Sequence, residues 1–443
     1  MIVMKFGGTS LANAERIKNI SNIIKTRLDK KPIVVVSAVG GVTDLLINVA
    51  KEASKGTNPN EKTEEIINIH KKIIKDLNLN EEFLMDDFVN LYDTLNGIYL
   101  LKELSPRSLD LVSSFGEILS SKILTEFLNS NKISSKQYFG WEAGIITNDN
   151  FTNAEILEET YENINFILNN LNHVAVVTGF IAKNKEGEIT TLGRGGSDYT
   201  ASIIGSALNV DEVEIWTDVD GIKTADPRII LNAKQWEKIT FNEASEMAYF
   251  GAKVLHPKTI KPAINKSIPV RILNTYNLDN RGTLIVDEDE EIPFRSISSK
   301  NDVTVIRICS TKMLFAYGFL SKVFDIFNKH KISIDLVSTS EITLSMTLDK
   351  INNESKKLEL AMHELEKLGN VEILKNRSII CVVGKGIRSR IGVLGRIFTT
   401  CKDWNVDVEM VSQGASPLSI SFVVKQEDSE KIVKELHKEL FEK

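Results

Sequence analysis

The pattern of apolar and polar residues along the first third of the chain predicts strands and helices in alternation. An apolar run at residues 2–4 predicts a strand, and 32–36 is a second continuous apolar strand. Between them, four apolar residues at helical spacing predict a helix with a buried stripe: Ile17, Ile20, Ile24 and Leu28. Uniformly apolar strands separated by amphipathic helices indicate a mainly parallel sheet covered by helices.

The middle of the chain continues this α/β pattern. Strands are predicted at 174–180, 213–217, 270–273 and 283–286. Residues 51–110 are rich in Lys, Glu and Asn and predict helices of a peripheral insertion, and a helix over 113–128 carries Glu117 among small and apolar residues. The acidic run 287–291, followed by Pro293, is the expected domain boundary.

Beyond residue 300 one order of elements occurs twice. Strand 303–310, helix 318–330 and strand 332–338 are followed by strand 378–384, helix 391–403 and strand 405–411. Each half then continues with a short strand, at 342–348 or 418–424, and a charged amphipathic helix. This internal repeat predicts two small α+β modules.

Composition excludes several classes of protein. A length of 443 residues predicts two or three domains, and the net charge of −6 provides no basic footprint for nucleic acid or an anionic membrane. The three cysteines are too few and too scattered for a disulfide framework or a zinc site, so buried thiols in a reducing compartment are expected. Only three apolar residues precede Lys5, and no run reaches the ~18–20 residues of a membrane span. We therefore expect a cytoplasmic protein.

The segment Lys5-Phe6-Gly7-Gly8-Thr9-Ser10 follows the first strand and predicts a receptor for phosphate oxygens. Glycines let backbone N–H groups face a ligand, a helix beginning just beyond would add partial positive charge, and Lys5 supplies a full one. The segment matches neither the Walker A nor the dinucleotide fingerprint. A strand-to-helix turn with glycines for steric reasons alone is the alternative.

A second glycine-rich segment, 191–201, contains Gly193-Arg194-Gly195-Gly196 ahead of a helix of small residues. Its backbone could line another anion site, with Ser197 or Asp198 capping the helix. The planar guanidinium of Arg194 suits a carboxylate or a phosphate. A flexible turn with a solvated arginine is the alternative.

Two further segments carry candidate chemistry. Trp216-Thr217-Asp218 ends a predicted strand, and the carboxyl edge of a parallel sheet is where nucleotides bind. An ordinary acidic turn is equally compatible with it. In residues 250–257, Lys253 could add a second cation beside a nucleotide or be a surface lysine, and His256 before Pro257 is interpreted as structural.

In combination these segments resemble the aspartate kinases over nearly the whole chain. Six motifs carry the resemblance, in family order: Lys-Phe-Gly-Gly-Thr-Ser, Val-Ser-Ala-Val-Gly-Gly-Val-Thr-Asp, Ser-Phe-Gly-Glu, Thr-Leu-Gly-Arg-Gly-Gly-Ser-Asp, Trp-Thr-Asp-Val-Asp-Gly and Gly-Ala-Lys-Val-Leu-His-Pro. The resemblance implies an amino-acid-kinase domain at 1–292, with an amino-acid-binding part at about 1–180 and a nucleotide-binding part at about 181–292. Two ferredoxin-like ACT domains at 303–376 and 377–443 would follow.

The implied reaction transfers the γ-phosphoryl group of ATP to the side-chain carboxylate of L-aspartate, with Mg²⁺ on the nucleotide. An aspartate carboxylate is already ionised at neutral pH, so no general base is required. By similarity Lys5, Arg194 and Asp198 would be catalytic. The implied aspartate contacts are Ser37, Thr43, Glu117, Phe180, Arg194 and Asp198. The implied ATP contacts are Lys5, Gly7, Gly8, Ser10, Thr217, Asp218, Asp226, Arg228 and Lys253.

Two of these assignments have particular consequences. Glu117 would pair with the α-ammonium of aspartate, and a solvated acid on a helix face is the alternative. Lys223 stands where some relatives have a nucleotide-contacting tyrosine, so the adenine pocket of this chain would differ in detail. The resemblance leaves the protein ligands of Mg²⁺ unassigned.

The first ACT module resembles those of lysine-inhibited aspartate kinases. The implied contacts for an inhibitory L-lysine are Met313, Gly318, Phe319, Leu320, Ser333, Asp335, Ser340 and Glu341. An ordinary βα turn with exposed acids, or inhibition by threonine, is the alternative. The second module, with Val411-Ser412-Gln413-Gly414, would serve as a structural partner in a homodimer or dimer of dimers formed through ACT domains.

Rival functions are a kinase for glutamate or N-acetylglutamate and a catalytically silent amino-acid sensor. The first class lacks a tandem ACT tail of this kind, and a silent sensor would be expected to have lost Lys5, Arg194 or Asp198. A fused homoserine dehydrogenase is not expected, since the chain ends with the ACT region.

Overall fold

A computed structural model describes residues 1–249, 257–314, 317–349, 355–387, 390–413 and 416–442. The helices are α1 (Ala14–Lys25), α2 (Val42–Ser54), α3 (Asn60–Asp76), α4 (Met85–Leu101), α5 (Pro106–Ser130), α6 (Glu159–Leu168), α7 (Gly196–Leu208), α8 (Phe241–Tyr249), α9 (Pro257–Ile264), α10 (Phe319–Lys329), α11 (Ser355–Leu365), α12 (Val393–Asp403) and α13 (Gln426–His437).

The strands that precede residue 290 are β1 (Ile2–Phe6), β2 (Pro32–Val36), β3 (Ser135–Tyr138), β4 (Ile146–Thr147), β5 (Val174–Thr178), β6 (Ile181–Asn184), β7 (Ile189–Thr191), β8 (Glu212–Thr217), β9 (Lys238–Thr240), β10 (Val270–Asn274) and β11 (Thr283–Val286). Those that follow are β12 (Ser296–Cys309), β13 (Val337–Thr339), β14 (Thr343–Leu348), β15 (Asn370–Val383), β16 (Met410–Gln413) and β17 (Ser419–Lys425).

The chain divides into two compact units. Unit 1 comprises Met1–Ile222, Trp236–Phe241 and Val254–Asp289, and unit 2 comprises Lys223–Gln235, Asn242–Lys253 and Glu290–Lys443. Besides its last three residues, two segments within the range 1–292 therefore belong to unit 2.

Unit 1 is built on an eight-stranded sheet with the order β3-β5-β2-β1-β8-β10-β11-β9. Every pairing in it is parallel except that of β10 with β11. This confirms the mainly parallel sheet predicted from the apolar strands. The carboxyl ends of the central strands β1, β2, β5 and β8 share one edge, where a parallel sheet offers ligand sites.

Several local predictions for unit 1 were wrong. Leu28 is 41% exposed, because α1 ends at Lys25 and Leu28 begins a short 3₁₀ turn. The helices within 51–110 are not peripheral, since Ile66, Phe88 and Leu95 belong to the same buried cluster as β1 and β2. The α-helix expected just beyond the first glycine segment does not begin there. Gly8–Leu11 form a 3₁₀ turn, and α1 begins only at Ala14, with the Asn13 side chain as its cap.

Unit 2 contains one antiparallel sheet with the order β13-β14-β12-β15-β17-β16. The carboxyl-terminal half of β12 and the amino-terminal half of β15 belong to the first module, with α10 and α11. The second module contains the rest of β15, β16, β17, α12 and α13. Its fourth strand is the start of β12, where Ser296 faces Val383 and Lys300 faces Ile379. The first module is thus inserted between this strand and the remainder of the second.

Three predictions for unit 2 also need correction. The strand expected over 332–338 is confined to β13, which begins at Val337, and the strand expected over 405–411 is confined to β16, which begins at Met410. Cys309 is exposed, whereas Cys381 and Cys401 are buried as expected. Burial raises the pKa of the Cys381 thiol to about 12, so this thiol remains protonated.

Candidate active site

A cavity of about 500 Å³ lies in unit 1 at the carboxyl ends of the central strands. Segments far apart in sequence line it: the end of β1, the loop from β2 to α2, the first half of α5, and the stretch from β7 to α7. The predicted site residues among its lining are Lys5, Gly8, Ser37, Thr43, Glu117, Phe180, Arg194 and Asp198. The two glycine-rich segments predicted as anion sites therefore face one space.

Lys5 and Asp198 form an ion pair in this cavity. Lys5 is in β1 and Asp198 is in the first turn of α7, with 2.6 Å between Nζ and Oδ1. Both side chains are mostly buried, with exposed fractions of 12% and 15%. The carboxylate of Asp198 neutralises the ammonium of Lys5, and a phosphate could take its place.

Two helices begin at the cavity without a side-chain cap. Gly41 precedes α2 and Gly195 precedes α7, both with left-handed backbone. The prediction that Ser197 or Asp198 caps the second helix was wrong, because α7 begins one residue earlier, at Gly196, and both lie inside its first turn. Uncapped amino termini present N–H donors and partial positive charge, so both helices favour an anion in the cavity.

The first glycine segment acts through close backbone contact. A Cβ atom at Gly8 would lie 2.7 Å from the carbonyl oxygen of Ala38. The Gly40 N–H donates to the Gly8 carbonyl at 3.0 Å. Because Gly8 has no side chain, the turn after β1 can pack directly against the loop after β2, which leads into α2.

Glu117 contributes a buried carboxyl group to the cavity wall. Its Oε1 accepts a hydrogen bond from the Ala38 N–H at 3.1 Å, while Oε2 is buried with no hydrogen-bond partner among the described residues. Burial raises the pKa of Glu117 to about 8, with the Ala38 N–H partly opposing the shift. An ammonium group in the cavity would satisfy the free oxygen and favour the ionised form.

Two residues of the cavity wall have an unfavourable backbone conformation. Thr152 has φ +70° and Phe180 has φ +67°. Among the residues that the structure describes, these are the one β-branched and the one aromatic residue in the left-handed region. Such strain costs on the order of 1–3 kcal/mol and is concentrated at functional sites.

The remaining predicted nucleotide residues of unit 1 lie next to the cavity lining rather than within it. Gly7 donates its N–H to the Trp216 carbonyl at 3.2 Å, which joins the first glycine turn to the end of β8. Ser10 shares a hydrogen bond of 2.8 Å with Thr275, whose N–H donates to the Thr217 carbonyl. Asp218 is exposed directly after β8. These residues form a polar strip along the carboxyl ends of β1, β8 and β10.

Three other predicted nucleotide residues are not in unit 1 as the structure describes it. Asp226 and Arg228 belong to unit 2 and pair with each other at 2.6 Å. Lys253 lies outside the described residues, as does His256.

The predicted regulatory residues lie in the first module of unit 2. Gly318, with φ +76°, precedes α10, which also begins without a side-chain cap. Phe319 and Leu320 open that helix, Met313 lies in the preceding 3₁₀ turn, and Ser333 is exposed between α10 and β13.

The acids of this module differ in their surroundings. The Asp335 carboxylate is 5% exposed and is already paired with Lys300 of β12 at 2.8 Å. Glu341 is exposed in the turn between β13 and β14, beside Ser340, whose hydroxyl accepts the Thr343 N–H at 3.1 Å. Of the two acids, Glu341 is the more accessible to a cationic ligand.

Comparison with known proteins identifies the family. Residues 1–274 match the amino acid kinase family and residues 380–440 match the ACT domain. Aspartokinase 1, chloroplastic, of Arabidopsis thaliana is 42% identical over 457 residues, covering 99% of this chain and 80% of the relative. The chain belongs to the aspartokinase family. Aspartokinases are ATP-dependent kinases, so this chain is an enzyme of that class.

Two crystal structures of aspartokinase III from Escherichia coli resemble this aspartokinase, each at 33% identity. The complex with aspartate and ADP, described as the R-state, gives a TM-score of 0.85 and covers 100% of both chains. The complex with lysine and aspartate, described as the T-state, gives a TM-score of 0.84 and covers 100% of this chain and 99% of the other. The family resemblance seen in the sequence motifs is thereby confirmed.

The cavity contains an acid that the sequence motifs did not single out. Asp110 is 1% exposed, lines the same cavity and precedes Glu117 by two helical turns on α5. A second acid at i and i+7 on one helix face was the available signal.

Among the described residues, no group of three or more His, Cys, Asp or Glu side chains could hold a metal ion. None of the described helices has the length and apolar character needed to cross a membrane.

Proposed function

We propose that this aspartokinase transfers the γ-phosphoryl group of ATP to the side-chain carboxylate of L-aspartate, giving 4-phospho-L-aspartate and ADP. A carboxylate oxygen attacks the γ-phosphorus, and the bond to the β,γ-bridging oxygen breaks. This is the first step toward lysine, threonine and methionine. The observation that carries the proposal is the Lys5–Asp198 pair in a cavity bordered by two uncapped helix amino termini.

The transition state of phosphoryl transfer is rich in negative charge, so the enzyme must supply cations and oriented donors. Lys5 would leave Asp198 and contact the transferring phosphoryl oxygens, with Gly8 bringing backbone donors close. The amino termini of α2 and α7 would add positive potential from the two sides of the cavity. No residue is required to remove a proton, because the attacking carboxylate is already ionised.

Aspartate would be oriented by charges of both signs. Arg194 would clamp its α-carboxylate with two parallel hydrogen bonds, and Glu117 Oε2 would accept from its α-ammonium. Ser37, Thr43, Phe180 and Asp198 would complete the pocket. E. coli aspartokinase III has been crystallised with aspartate and ADP, which supports the same pair of ligands for this cavity.

The nucleotide would lie along the polar strip of unit 1 beside the cavity, over Gly7, Ser10, Thr217 and Asp218. Mg²⁺ commonly binds through substrate phosphates and one or two carboxylates rather than a dedicated protein cage. The exposed carboxylate of Asp218 at the end of β8 fits that role. When bound, the ion would shield the phosphate charge.

We further propose feedback inhibition by L-lysine at the first ACT module. The uncapped start of α10 after Gly318 would receive the α-carboxylate, and Glu341 would receive an ammonium group. The lysine-bound T-state of E. coli aspartokinase III supports this choice of effector. We also propose a cytoplasmic homodimer or dimer of dimers that forms through ACT domains.

A hydroxylamine-trapping assay tests the proposed reaction, because hydroxylamine converts acyl phosphates to hydroxamates, which form coloured complexes with Fe³⁺. The enzyme is incubated with ATP, Mg²⁺ and, in parallel, L-aspartate, L-glutamate and N-acetyl-L-glutamate, each with and without L-lysine or L-threonine. We expect hydroxamate from aspartate alone, and loss of the signal with lysine but not threonine. Product from glutamate or N-acetylglutamate in place of aspartate would refute the substrate, and inhibition by threonine alone would refute the effector.

A further inference from the structure

The Asp110 carboxylate joins three segments of unit 1 that are distant in sequence. Its Oδ2 accepts the N–H of Thr152 at 2.9 Å and the N–H of Thr191 at 3.0 Å, and its Oδ1 accepts the Thr191 hydroxyl at 2.7 Å. Thr191 ends β7, and Thr152 lies in the loop between β4 and α6. One side chain at the start of α5 thus fixes the ends of two other segments.

Both of these segments support the turn that contains Arg194: β7 continues into it, and the loop at 152–154 packs against it. Thr191 precedes Arg194 by three residues, and its carbonyl accepts the Ala154 N–H at 2.8 Å, so β7 and the 152–154 loop are also bonded to each other. Gly193, with φ +74°, rests on that loop, and a Cβ atom there would lie 2.7 Å from Asn153 Oδ1. The loop is therefore the floor on which the turn before Arg194 sits.

The contact with Asp110 also accounts for the strain at Thr152. A β-branched residue at φ +70° persists only where its surroundings hold it. Among the contacts described for Thr152, the hydrogen bond from its N–H to the buried Asp110 carboxylate holds this conformation. Loss of this acceptor would let the Thr152 peptide relax and remove the support beneath Gly193.

We propose that Asp110 is a positioning residue that sets the place of the Arg194 guanidinium, and through it the affinity of the cavity for the α-carboxylate of aspartate. This inference rests on the proposed role of Arg194. Asp110 acts through Thr152 and Thr191, not through the nucleotide, so aspartate binding should depend on it and ATP binding should not. In this proposal the three hydrogen bonds matter rather than the negative charge of Asp110. The Asp110→Asn variant separates the two, because its amide oxygen could accept both N–H groups and its NH₂ group could donate to the Thr191 oxygen.

The test compares Asp110→Ala, Asp110→Asn and Thr191→Val in the full-length enzyme by steady-state kinetics and thermal unfolding. A misplacement of about 1 Å can cost on the order of 10²-fold. We therefore expect Asp110→Ala to raise the KM for aspartate by about 10- to 100-fold with the KM for ATP within about 2-fold. Asp110→Asn should stay within about 3-fold of wild type, and Thr191→Val, which removes only the hydroxyl bond, should fall between them.

A matched control is Asp87→Ala. Asp87 of α4 pairs with Lys122 of α5 at 2.6 Å, so this variant removes a different carboxylate that contacts the same helix. It should lower the unfolding temperature without changing the KM for aspartate. If Asp110→Ala does the same, or if Asp110→Asn is as impaired as Asp110→Ala, the positioning role is wrong. If Asp110→Ala does not fold, Thr191→Val provides the test. In this variant the KM for aspartate should rise relative to the KM for ATP, and an unchanged ratio of the two would contradict the positioning role. Wild-type turnover of aspartate in the same assay reports separately on the proposed function.

Discussion

Glu117 should release a proton when aspartate binds. Burial raises the pKa of this carboxyl from its ordinary 4.5 to about 8, so at pH 7 about nine-tenths of ligand-free molecules carry the proton. An α-ammonium beside Oε2 favours the ionised carboxylate and lowers that pKa. We therefore expect release of close to one proton per site at pH 7, and much less at pH 9, where Glu117 is already ionised.

Isothermal titration of L-aspartate into the enzyme, in buffers of different ionisation enthalpy at pH 7, measures this release. Glu117→Gln should abolish it and raise the KM for aspartate by about 10- to 100-fold, the scale of losing a hydrogen bond to a charged partner. Glu126→Gln, an exposed glutamate on the same helix, is the matched control and should behave as wild type. Equal proton release by wild type and Glu117→Gln would show that the proton does not come from Glu117.

The same pKa shift makes the stability of the ligand-free enzyme depend on pH. The folded state holds the Glu117 proton up to about pH 8, whereas the unfolded chain loses it above about 4.5, so this group's contribution is full below 4.5 and declines as pH rises to about 8. At pH 7 the loss is about 3 kcal/mol. Urea unfolding should show this decline in wild type, and Glu117→Gln should lack it; an identical pH profile for both proteins would count against a buried protonated carboxyl.

Two residues of the proposed active site and one of the proposed lysine site each give a further prediction. Lys5→Ala should lower kcat by at least ~10²-fold with folding intact, the scale of losing a transition-state donor, and near-normal kcat in steady-state assays would refute its role. Arg194→Ala should mainly raise the KM for aspartate, so an unchanged KM would contradict the carboxylate clamp. Glu341→Gln should raise the lysine concentration for half-inhibition by about 5-fold, as expected for an exposed ion pair; an unshifted inhibition curve would exclude that contact.

Much of unit 1 could be predicted from its sequence because the information there is local. Parallel strands buried on both faces appear as continuous apolar runs, as in β2 and β5, and two glycine-rich segments indicate anion sites. Their convergence did not follow from strand geometry, because the second segment follows β7 of a separate three-stranded sheet; only the family resemblance implied it. Lys5 and Arg194 accordingly line one cavity.

The parts that could not be predicted depend on contacts between distant residues. Asp110 meets Thr152 and Thr191, which are 42 and 81 positions away, so a lone acid near a helix start gave no local sign of its partners. The first residues of β12, Ser296-Ile297-Ser298-Ser299, are mostly serines, and they form a strand because the second half of β15 pairs with them within the second module. The segments 223–235 and 242–253 lie within the range expected for the kinase domain, yet they belong to unit 2.

A buried ion pair illustrates how such a segment is held within unit 2. Glu243 at the start of α8 accepts from Arg295 Nε at 3.2 Å and from the Lys385 N–H at 3.1 Å. Both charged side chains are essentially inaccessible to solvent. Breaking such a pair by removing one partner typically costs about 3–5 kcal/mol, which explains why α8 is fixed to this unit despite its place in the sequence.

In the proposed reaction, one cavity in unit 1 holds aspartate between Arg194 and Glu117 while Lys5 faces the γ-phosphate. A crystal structure with L-aspartate and a non-hydrolysable ATP analogue would locate all three contacts at once. We expect the α-carboxylate on Arg194, the α-ammonium on Glu117, and Lys5 Nζ moved from Asp198 to hydrogen-bond distance of the γ-phosphate. Aspartate bound outside this cavity, or Lys5 still paired with Asp198 beside a bound nucleotide, would contradict it.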